Sequence, residues 1–461
     1  MDAAEYHLQT KHRPERFSKP QSHSEWANRL KPYKSYFEAK KLFLNKLSPP
    51  RKPYEKLYLK NADNPITPET LSLMLRYSLA INAKKIHNPN SGYVRVNPSY
   101  KNLHPEEIYL IYKNALYHFN VKEFCLEEIA KSDKTLIKEG FLIIINSIPF
   151  RTSWKYGKRA LRYCLLDTGH IIAALRFSTN LLGWNMKYAG FEKEFKEFFS
   201  AFKYPRNEEE LFEAAFFVYE KKPPQFKIKD IKNLSPTDSD PLAKEKTKRD
   251  IIFKTAKKLT LSPKPSFIRT KPSFSPSPFS AYEIIDNRRS ALGFKKNYIS
   301  KNDFLDILDK TLHRKIPPFD VEITQNLIDF VIFVNRVEGV KSGIYYFDRQ
   351  KNSLNLLEKG DFSETAKFIN CFQDTAKNSA FTINMTAPFP TNENYKSIMF
   401  ESGMIGEILY LEAEAKGMRG CATGCFFDDL ITKEILNDKN KIATLGFSIG
   451  VPLMNERIIK L

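Results

Sequence analysis

Apolar and polar positions follow one another along the first half of the chain in a pattern that predicts β-strands and then one long helix. Residues 106–112 (EEIYLIY) and 115–120 (ALYHFN) have the composition of a β-hairpin. Residues 141–147 (FLIIINS) form a continuous apolar run, which indicates a buried strand. The amphipathic pattern of residues 165–184 then predicts a helix.

The second half repeats this order of elements. Strands are predicted at 330–334 and 343–348, a buried strand at 381–386 and a long helix at 400–418. Three glycine pairs share one spacing of 234 positions: Gly169 and Gly403 (403 − 169), Gly183 and Gly417 (417 − 183), and Gly190 and Gly424 (424 − 190). Any two helices that end in glycine look alike, because glycine is the usual residue just past a helix. The matching strand order favours two copies of one domain.

The two long helices are predicted to pack against each other. Gly403 and Gly406 lie inside the second helix, where glycine costs about 1 kcal/mol relative to alanine. Close approach of another helix is the simplest compensation. The first helix, with Gly169, Ala173 and Ala174, is the natural partner. The sequence therefore predicts a pseudo-dimer within one polypeptide, and we expect a monomer.

Changes in composition along the chain, together with the predicted elements, indicate four regions. They are an N-terminal leader (1–60), a first domain (61–221), a connector (222–281) and a second domain (282–461). The connector is rich in proline, which removes backbone donors and fixes φ, so only a short helix within 250–261 is expected there. The two domains open with predicted helices at 67–80 and 299–312.

Composition narrows the function classes. The formal net charge of +20 suits nucleic acid or a small anionic ligand, but the lysines are spread over the whole chain rather than clustered. A solvated lysine-rich surface is the favoured interpretation, with no nucleic-acid partner. No apolar run is long enough for a membrane span. The five cysteines fit neither a disulfide framework nor a metal motif, so we expect no metal site and a cytoplasmic location.

Two segments offer polar groups for a ligand. Adjacent arginines and a serine, Arg288, Arg289 and Ser290 in NRRSALGF, suit a phosphate monoester. Three residues are a weak signal, and a charged helix start is the alternative. The loop RVNPSYKNLH contains Pro98, Ser99 and Asn102 before a strand; a well-capped surface loop is the alternative there.

Two further segments flank the long helices. Lys155 and Tyr156 precede the first one, where burial of the lysine would allow proton transfer; a solvated basic helix start is the alternative. Gly420 and Gly424 follow the second one and permit close approach of backbone to a flat ligand. Their segment is not a dinucleotide-binding fingerprint, since it follows a helix and not a strand.

In their order, these motifs resemble the nitroreductase superfamily, in particular its SagB-type, azoline dehydrogenase-like branch. The resemblance rests on YHLQTKHRPERF, WANRLKPYKSY, the loop around Pro98, KYGKRALRYCLLDTGH, NRRSALGF, GCFFDD and GFSIGVP. It implies an α+β fold, with an antiparallel-dominated sheet flanked by helices and FMN at a dimer interface.

The same resemblance implies roles for individual residues. The residues implied to bind FMN are Arg288, Arg289, Ser290, Pro98, Ser99, Asn102, Gly420, Gly424 and Arg457, and the catalytic pair is Lys155 and Tyr156. Leu292 stands where many members have a second basic residue. The first half has no Arg-x-Ser cluster and the second half has no Pro-Ser loop, so the two halves complement each other in one site.

The expected function is therefore FMN-dependent hydride transfer to or from a small molecule or a modified peptide, with NAD(P)H as the candidate reductant. Two alternatives stay open. One is a flavin-binding regulatory or scaffold protein without turnover. The other is a nucleic-acid-binding protein that uses the basic connector, whose binding would depend steeply on salt.

Overall fold

The computed structural model describes residues 1–17, 32–86, 92–202, 204, 208–231, 234, 236–241, 250–454 and 458–461. Its strands are β1 (Lys40–Phe43), β2 (Ile81–Lys85), β3 (Tyr93–Arg95), β4 (Glu106–Tyr112), β5 (Ala115–Asn120), β6 (Cys125–Lys131), β7 (Phe141–Ser147), β8 (Asn185–Tyr188), β9 (Leu211–Tyr219), β10 (Asp329–Val334), β11 (Gly343–Asp348), β12 (Ser353–Lys359), β13 (Phe381–Pro388), β14 (Arg419–Thr423), β15 (Lys441–Gly450) and β16 (Ile458–Lys460).

The helices are α1 (Ala3–Gln9), α2 (Pro68–Arg76), α3 (Pro149–Tyr156), α4 (Ala160–Leu181), α5 (Glu192–Ser200), α6 (Asp250–Ala256), α7 (Ala281–Asn287), α8 (Lys301–Lys310), α9 (Ser363–Ile369), α10 (Asp374–Asn378) and α11 (Tyr395–Ala415).

Two large antiparallel sheets have the same topology. The first has the strand order β1-β6-β5-β4-β7-β9-β8 and the second has the order β12-β11-β10-β13-β15-β14. Without β1, the strands of one sheet match those of the other in both spatial and chain order. Helix α4 follows β7, and α11 follows β13 at the corresponding place. The chain therefore contains two copies of one α+β topology in tandem, as expected.

Helices α4 and α11 cross at the centre of the molecule. Every residue of α4 is buried, as is every residue of α11 except Glu414. A helix that is buried on all sides lies in the core of a large protein. A Cβ atom at Gly403 would fall 2.8 Å from the Cα of Gly169 and too close to the Leu166 carbonyl oxygen. The two backbones thus touch where the glycines predicted it, and the intrachain pseudo-dimer is confirmed.

Both long helices begin five residues before their predicted starts. The first turns contain Arg162 and Lys396, whose charge interrupts the apolar pattern. Each charge is buried against a carboxylate of the opposite half: Arg162 lies 2.7 Å from Asp428, and Lys396 lies 3.3 Å from Glu213. A buried cation with such a partner is compatible with a core helix, so periodicity alone placed the starts too late.

Both long helices end shortly before a glycine. Helix α4 stops before Gly183 (φ 81°) and α11 stops before Gly417 (φ 69°). Both backbones are in the left-handed region, which glycine occupies without a steric penalty. The predicted helices had included each glycine, and both observed ends lie three residues earlier.

Chain segments cross between the halves at both ends of the molecule. Strand β16 pairs with β2 of the first half, and β2 pairs with β3. Strand β1, from the predicted leader, pairs with β6 at the edge of the first sheet. The leader's helix α1 contacts the second half, where the N–H of Ala3 donates to the side chain of Asn392 at 2.8 Å. The leader is thus built into the fold.

Neither a membrane-spanning helix nor a metal-binding cluster is found among the described residues. No helix in these ranges is long and apolar enough to cross a membrane. The same ranges hold no group of three or more His, Cys, Asp or Glu side chains arranged to bind a metal ion.

Candidate functional site

A cavity of about 240 Å³ lies where the two halves meet, below the end of α7. Its described lining consists of Lys85, Val94, Asn97, Pro98, Ser99, Asn102, Arg288, Arg289, Ser290, Leu292 and Ile458. The structure therefore brings the arginine-serine cluster of the second half together with the Pro-Ser loop of the first. No carboxylate is found among these lining residues, so the cavity is electrostatically suited to an anion.

Arg288 lies at the boundary between the halves. Its side chain is 2% exposed. The Nε atom donates to the carbonyl of Val96 at 2.6 Å and Nη2 donates to the carbonyl of Arg95 at 3.2 Å. Within the described part of the chain, Nη1 has no hydrogen-bond partner. Because a buried donor without a partner is costly, Nη1 is a group that a ligand oxygen would satisfy.

Arg289 adds a second buried cation. Its Nη1 atom donates to the backbone carbonyls of Asp286 (3.1 Å) and Arg288 (2.6 Å). Burial, followed by the neighbouring charge of Arg288, lowers the pKa of Arg289 to about 10. Arg289 is still a cation at neutral pH, but its charge is less favourable than in water. An anion bound in the cavity would relieve that cost.

Ser99 and Asn102 fix the shape of the loop. The Ser99 hydroxyl donates to the Asp167 carboxyl at 2.6 Å and accepts the N–H of His104 at 2.9 Å. Asn102 donates to the carbonyl of Tyr93 at 2.6 Å, and its Oδ1 lies 3.0 Å from Nε2 of His104. The Ser99 proton is therefore committed within the protein. Asn97 and Pro98 of the same loop also line the cavity. Oδ1 of Asn97 forms no hydrogen bond with the described residues.

Asn97 and His104 are groups that motif reading did not commit to the site. Oδ1 of the buried Asn97 has no partner among the described residues. Burial, then the charges of Arg95 and Arg288, holds the pKa of His104 well below its usual range, so its imidazole is neutral. The segment RVNPSYKNLH contained both residues, yet polar loop residues are so common that their type gave no selective signal.

Lys85 and Tyr410 also contribute to the site and were missed. Lys85 lines the cavity from the end of β2. The Tyr410 hydroxyl lies 2.9 Å from the Ser290 hydroxyl and accepts the N–H of Ala422 at 2.9 Å. Its ring lies 5.1 Å from the Arg288 guanidinium. Tyr410 is one apolar-face position among many in α11, and nothing in the sequence distinguishes it.

Gly420 and Gly424 are close to aromatic rings of the chain itself. A Cβ atom at Gly420 would lie 2.5 Å from the Phe447 ring. One at Gly424 would lie 2.7 Å from the Tyr100 ring and would overlap the Tyr163 ring. The absence of side chains is therefore required by this packing. Neither glycine is among the described residues that line the cavity, so their role beside a flavin stays a prediction.

Neither of the two predicted catalytic residues is among the described residues that line the cavity. The ring of Tyr156 lies 4.3 Å from that of Tyr163, which lies 4.5 Å from that of Tyr100 in the Pro-Ser loop. Burial, followed by Tyr163, raises the pKa of Tyr156, so its phenol keeps its proton at neutral pH. The Lys155 ammonium lies 5.7 Å from the Trp154 ring and is not part of the cavity's described lining. Arg457 lies outside the described residues.

The corresponding place in the opposite half is occupied by ion pairs. Glu401 is the counterpart of Asp167 by the 234-residue spacing (401 − 167). It accepts a hydrogen bond from Arg349 at 2.7 Å, and both side chains are fully buried. Arg176 forms a bidentate pair with Asp320 at 2.8 and 2.7 Å. Here protein side chains neutralise each other, whereas the cavity beside Arg288 leaves positive charge for a ligand.

The donor set of the cavity fits the phosphate of FMN. Arg288 supplies an N–H without a partner, Arg289 supplies a second guanidinium, and Ser290 supplies an exposed hydroxyl. Guanidinium groups bind phosphate oxygens by charge-assisted, geometrically matched hydrogen bonds. The residues present are therefore compatible with the cofactor that the sequence resemblance implies.

Comparison with known proteins supports the fold over the full chain. No protein-family model matches, and no curated protein matches. The crystal structure of a “putative nitroreductase” from Anabaena variabilis is similar with a TM-score of 0.72 at 18% identity, over 98% of this chain and 100% of that chain.

Other solved structures match a smaller part of the chain. An FMN-dependent nitroreductase from Clostridium difficile matches 38% of this chain and 88% of its own, with a TM-score of 0.25 at 15% identity. The Escherichia coli microcin synthetase McbBCD complex matches 37% of this chain and 70% of that chain, with a TM-score of 0.31 at 12% identity. The full-length match shows that this protein has a nitroreductase-like fold in tandem within one polypeptide.

Proposed function

We propose that the protein is an FMN-dependent oxidoreductase that transfers a hydride between flavin N5 and a small organic substrate. The observation that carries this proposal is the buried, unpartnered Nη1 of Arg288 in a cationic cavity between the halves of a nitroreductase-like fold. When bound, FMN supplies the redox chemistry, and the protein positions it and tunes its electronics.

The residues around the cavity divide the work of binding. Arg288, Arg289 and Ser290 hold the phosphate, and Arg457 is proposed to assist. The loop with Pro98, Ser99 and Asn102 forms the opposite wall, and its internal hydrogen bonds keep it in place before a ligand arrives. Such preorganisation reduces the ordering cost of binding. Gly420 and Gly424 are proposed to lie along the ring system.

Substrate, reductant and branch belong to the same proposal. The SagB-type branch, suggested by the sequence motifs, favours a small molecule or a modified peptide as substrate and a dehydrogenase reaction. NAD(P)H is the candidate electron donor for the opposite, reductive direction. One flavin is expected per chain, since the counterpart of Asp167 on the other side, Glu401, is paired with Arg349.

The phosphate assignment is tested by comparing FMN with riboflavin, which lacks the phosphate. The full-length protein should bind FMN at least about tenfold more tightly than riboflavin, since hydrogen bonds to charged groups contribute about 1.5–3 kcal/mol. Replacing Arg289→Ala should remove most of that difference and leave riboflavin binding unchanged. Lys295→Ala, which removes an exposed cation outside the cavity lining, is the matched control.

The flavin content of the purified, FMN-reconstituted chain provides the decisive readings. Equal affinity for FMN and riboflavin in the unaltered protein would refute the phosphate site. Absence of any flavin binding would refute the function, and two flavins per chain would refute the single site. Absorbance at the flavin band together with protein concentration gives each ratio directly.

Proton transfer is proposed for Tyr156, with Lys155 as the second member of the pair. Tyr156→Phe removes only the hydroxyl and keeps the stacked ring, so the FMN affinity should not change. Turnover with NAD(P)H and a nitro or quinone acceptor should fall by about 10²-fold, the usual contribution of one general acid. Lys155→Ala should have the same effect if the lysine acts with the tyrosine. Unchanged turnover in either variant excludes that residue from catalysis.

A flavin-binding protein without turnover is the second candidate. The observation that favours it is the cover of aromatic rings over Gly424, together with the position of Lys155 beside Trp154. Anaerobic mixing of the FMN-loaded chain with NADH, NADPH and dithionite distinguishes the two candidates. Bleaching by dithionite alone, followed by no transfer to nitro, quinone or azoline acceptors, would support the non-catalytic protein.

A further inference from the structure

Two cysteines lie together outside the cavity. Cys371 follows α9, and Cys425 follows β14. The N–H of Phe427 donates to the carbonyl of Ile369 at 2.8 Å, two residues from each cysteine. The side-chain amide of Gln373 donates to the carbonyl of Cys425 at 3.5 Å. These contacts hold the two segments side by side, and each of the two thiols shifts the pKa of the other.

Two basic residues lie near Cys425. His12 pairs with Phe427, two residues after Cys425, in an isolated parallel β-bridge. Nη2 of Arg159 donates to the carbonyl of the preceding residue, Gly424, at 3.1 Å. Interaction with the Cys371 thiol, and then those two residues, lower the pKa of Cys425 to about 5 against the opposing effect of burial. The pKa of Cys371 is raised by its interaction with Cys425 and by burial.

Of the two thiols, Cys425 is therefore the one whose thiolate form is favoured. A thiolate is the nucleophile in disulfide exchange. Cys421, four positions before Cys425, has its pKa raised to about 11 by burial and does not share this environment. Cys425 is also the more accessible member, because its side chain is partly exposed whereas Cys371 is buried. An incoming reagent thus meets Cys425 first.

We propose that Cys425 and Cys371 form a redox-active dithiol that reduces the disulfide of a small thiol compound. The Cys425 thiolate attacks one sulfur of that disulfide, the S–S bond breaks, and one small thiolate leaves. Cys371 then attacks Cys425 in the mixed disulfide and gives its proton to the second departing sulfur. The protein gains a Cys371–Cys425 disulfide and loses two electrons, and the small disulfide is reduced to one thiolate and one thiol.

This site is chemically distinct from the proposed phosphate site, although Cys425 directly follows Gly424, which is proposed to lie along the flavin. It is built from the segments after α9 and β14, with His12 from the N-terminal region and Arg159 from the turn before α4. None of these four residues lines the cavity beside Arg288. Loss of the dithiol chemistry and loss of flavin binding can therefore be observed separately in the same protein.

The test uses the full-length, reduced protein and glutathione disulfide as the probe, with products mapped by mass spectrometry. The unaltered chain should form a peptide cross-linked between Cys371 and Cys425. Cys371→Ser should stop at a mixed disulfide of glutathione with Cys425, and Cys425→Ser should form neither product. Cys421→Ser is the matched control and should behave like the unaltered chain.

A second measurement needs no variant. Iodoacetamide at pH 6 should alkylate Cys425 at least about tenfold faster than Cys421, because the rate follows the thiolate fraction even though a low pKa lowers intrinsic nucleophilicity. Equal alkylation rates would overturn the proposal. So would a reduced Cys371–Cys425 pair after prolonged incubation with glutathione disulfide, or the absence of a Cys425 mixed disulfide in a folded Cys371→Ser protein.

Discussion

Two corresponding carboxyl groups buried at the junction of the halves have different partners. Glu401 is neutralised by Arg349. Asp167, its counterpart, receives one hydrogen bond from the Ser99 hydroxyl, and its second oxygen has no partner among the described residues. Glu106, also buried, has no described hydrogen-bond partner on either oxygen. Asp167 and Glu106 thus lack the paired cation that neutralises Glu401.

This difference predicts a pH dependence of stability. Burial raises the pKa of Asp167 to about 8, above the ~3.9 of an unfolded aspartate. The folded chain therefore holds this proton more tightly than the unfolded chain does. The stability contributed by the group is complete below about pH 4 and is lost as the pH rises through about 8.

Asp167→Asn should accordingly stabilise the protein at high pH. We expect the free energy of unfolding to rise by at least about 1 kcal/mol more at pH 9 than at pH 5, since one pKa unit corresponds to 1.36 kcal/mol. Urea unfolding at both values measures it. Asp133→Asn removes an exposed carboxyl as the control. A variant with the same pH 5-to-9 difference as the unaltered protein would exclude Asp167 as the source.

At the scale of elements, the crossing of α4 and α11 depends on glycine at two positions. A Cβ atom at Gly403 meets the backbone of Leu166 and Gly169, which cannot move without separating the helices. A Cβ atom at Gly406 would collide with Cε1 and Nε2 of the His170 ring. It would also lie 3.2 Å from Cδ2 of Leu445. Side-chain atoms can shift, whereas a helix backbone in a close-packed core cannot do so cheaply.

Gly403→Ala should therefore destabilise the chain more than Gly406→Ala does. We expect a loss of about 3 kcal/mol or more for Gly403→Ala, at the upper end of overpacking effects. Gly92→Ala has open space around its Cβ and should be nearly neutral. Denaturant unfolding gives the order. If Gly403→Ala were as stable as Gly92→Ala, the close backbone contact would be wrong.

Periodicity predicted the elements whose residues have the burial that their pattern suggests. The strands β4, β5 and β7 have the predicted bounds, because each is a continuous or alternating apolar run. Strand β1 was missed, since its residues KKLF are mostly exposed at a sheet edge. Strands β2 and β16 are short and pair across the halves, and local pattern contains no information about such partners.

Part of the candidate site could also be predicted from the sequence. Spacing and residue type pointed to the arginine-serine cluster and the Pro-Ser loop, which the fold brings to one cavity. The sequence could not show which distant segments the fold brings together. Cys371 and Cys425 are 54 positions apart (425 − 371), so no spacing motif could identify the pair. Lys155 lies beside the Trp154 ring and Tyr156 beside the Tyr163 ring, and the order of residues in the chain does not predict these contacts.

At the scale of the whole molecule, the halves are joined by more than their connector. The long helices bury nearly every residue in the core, and both chain ends cross to the opposite half. The N–H of Leu461 donates to the carbonyl of Asn82 at 3.0 Å, while the N–H of His12 donates to Asp428 at 3.1 Å. Interfaces that are this apolar and continuous resemble those of obligate dimers.

Cutting the chain between the halves should consequently leave one particle. A protease site inserted between Lys221 and Lys222, which are exposed just after β9, allows cleavage of the folded protein. The two fragments should co-elute in size-exclusion chromatography at the volume of the uncut protein and separate only in denaturant. FMN binding should survive, because each wall of the cavity stays attached to its own half. Fragments that separate at micromolar concentration would show that the connector, and not the helix crossing, holds the site together.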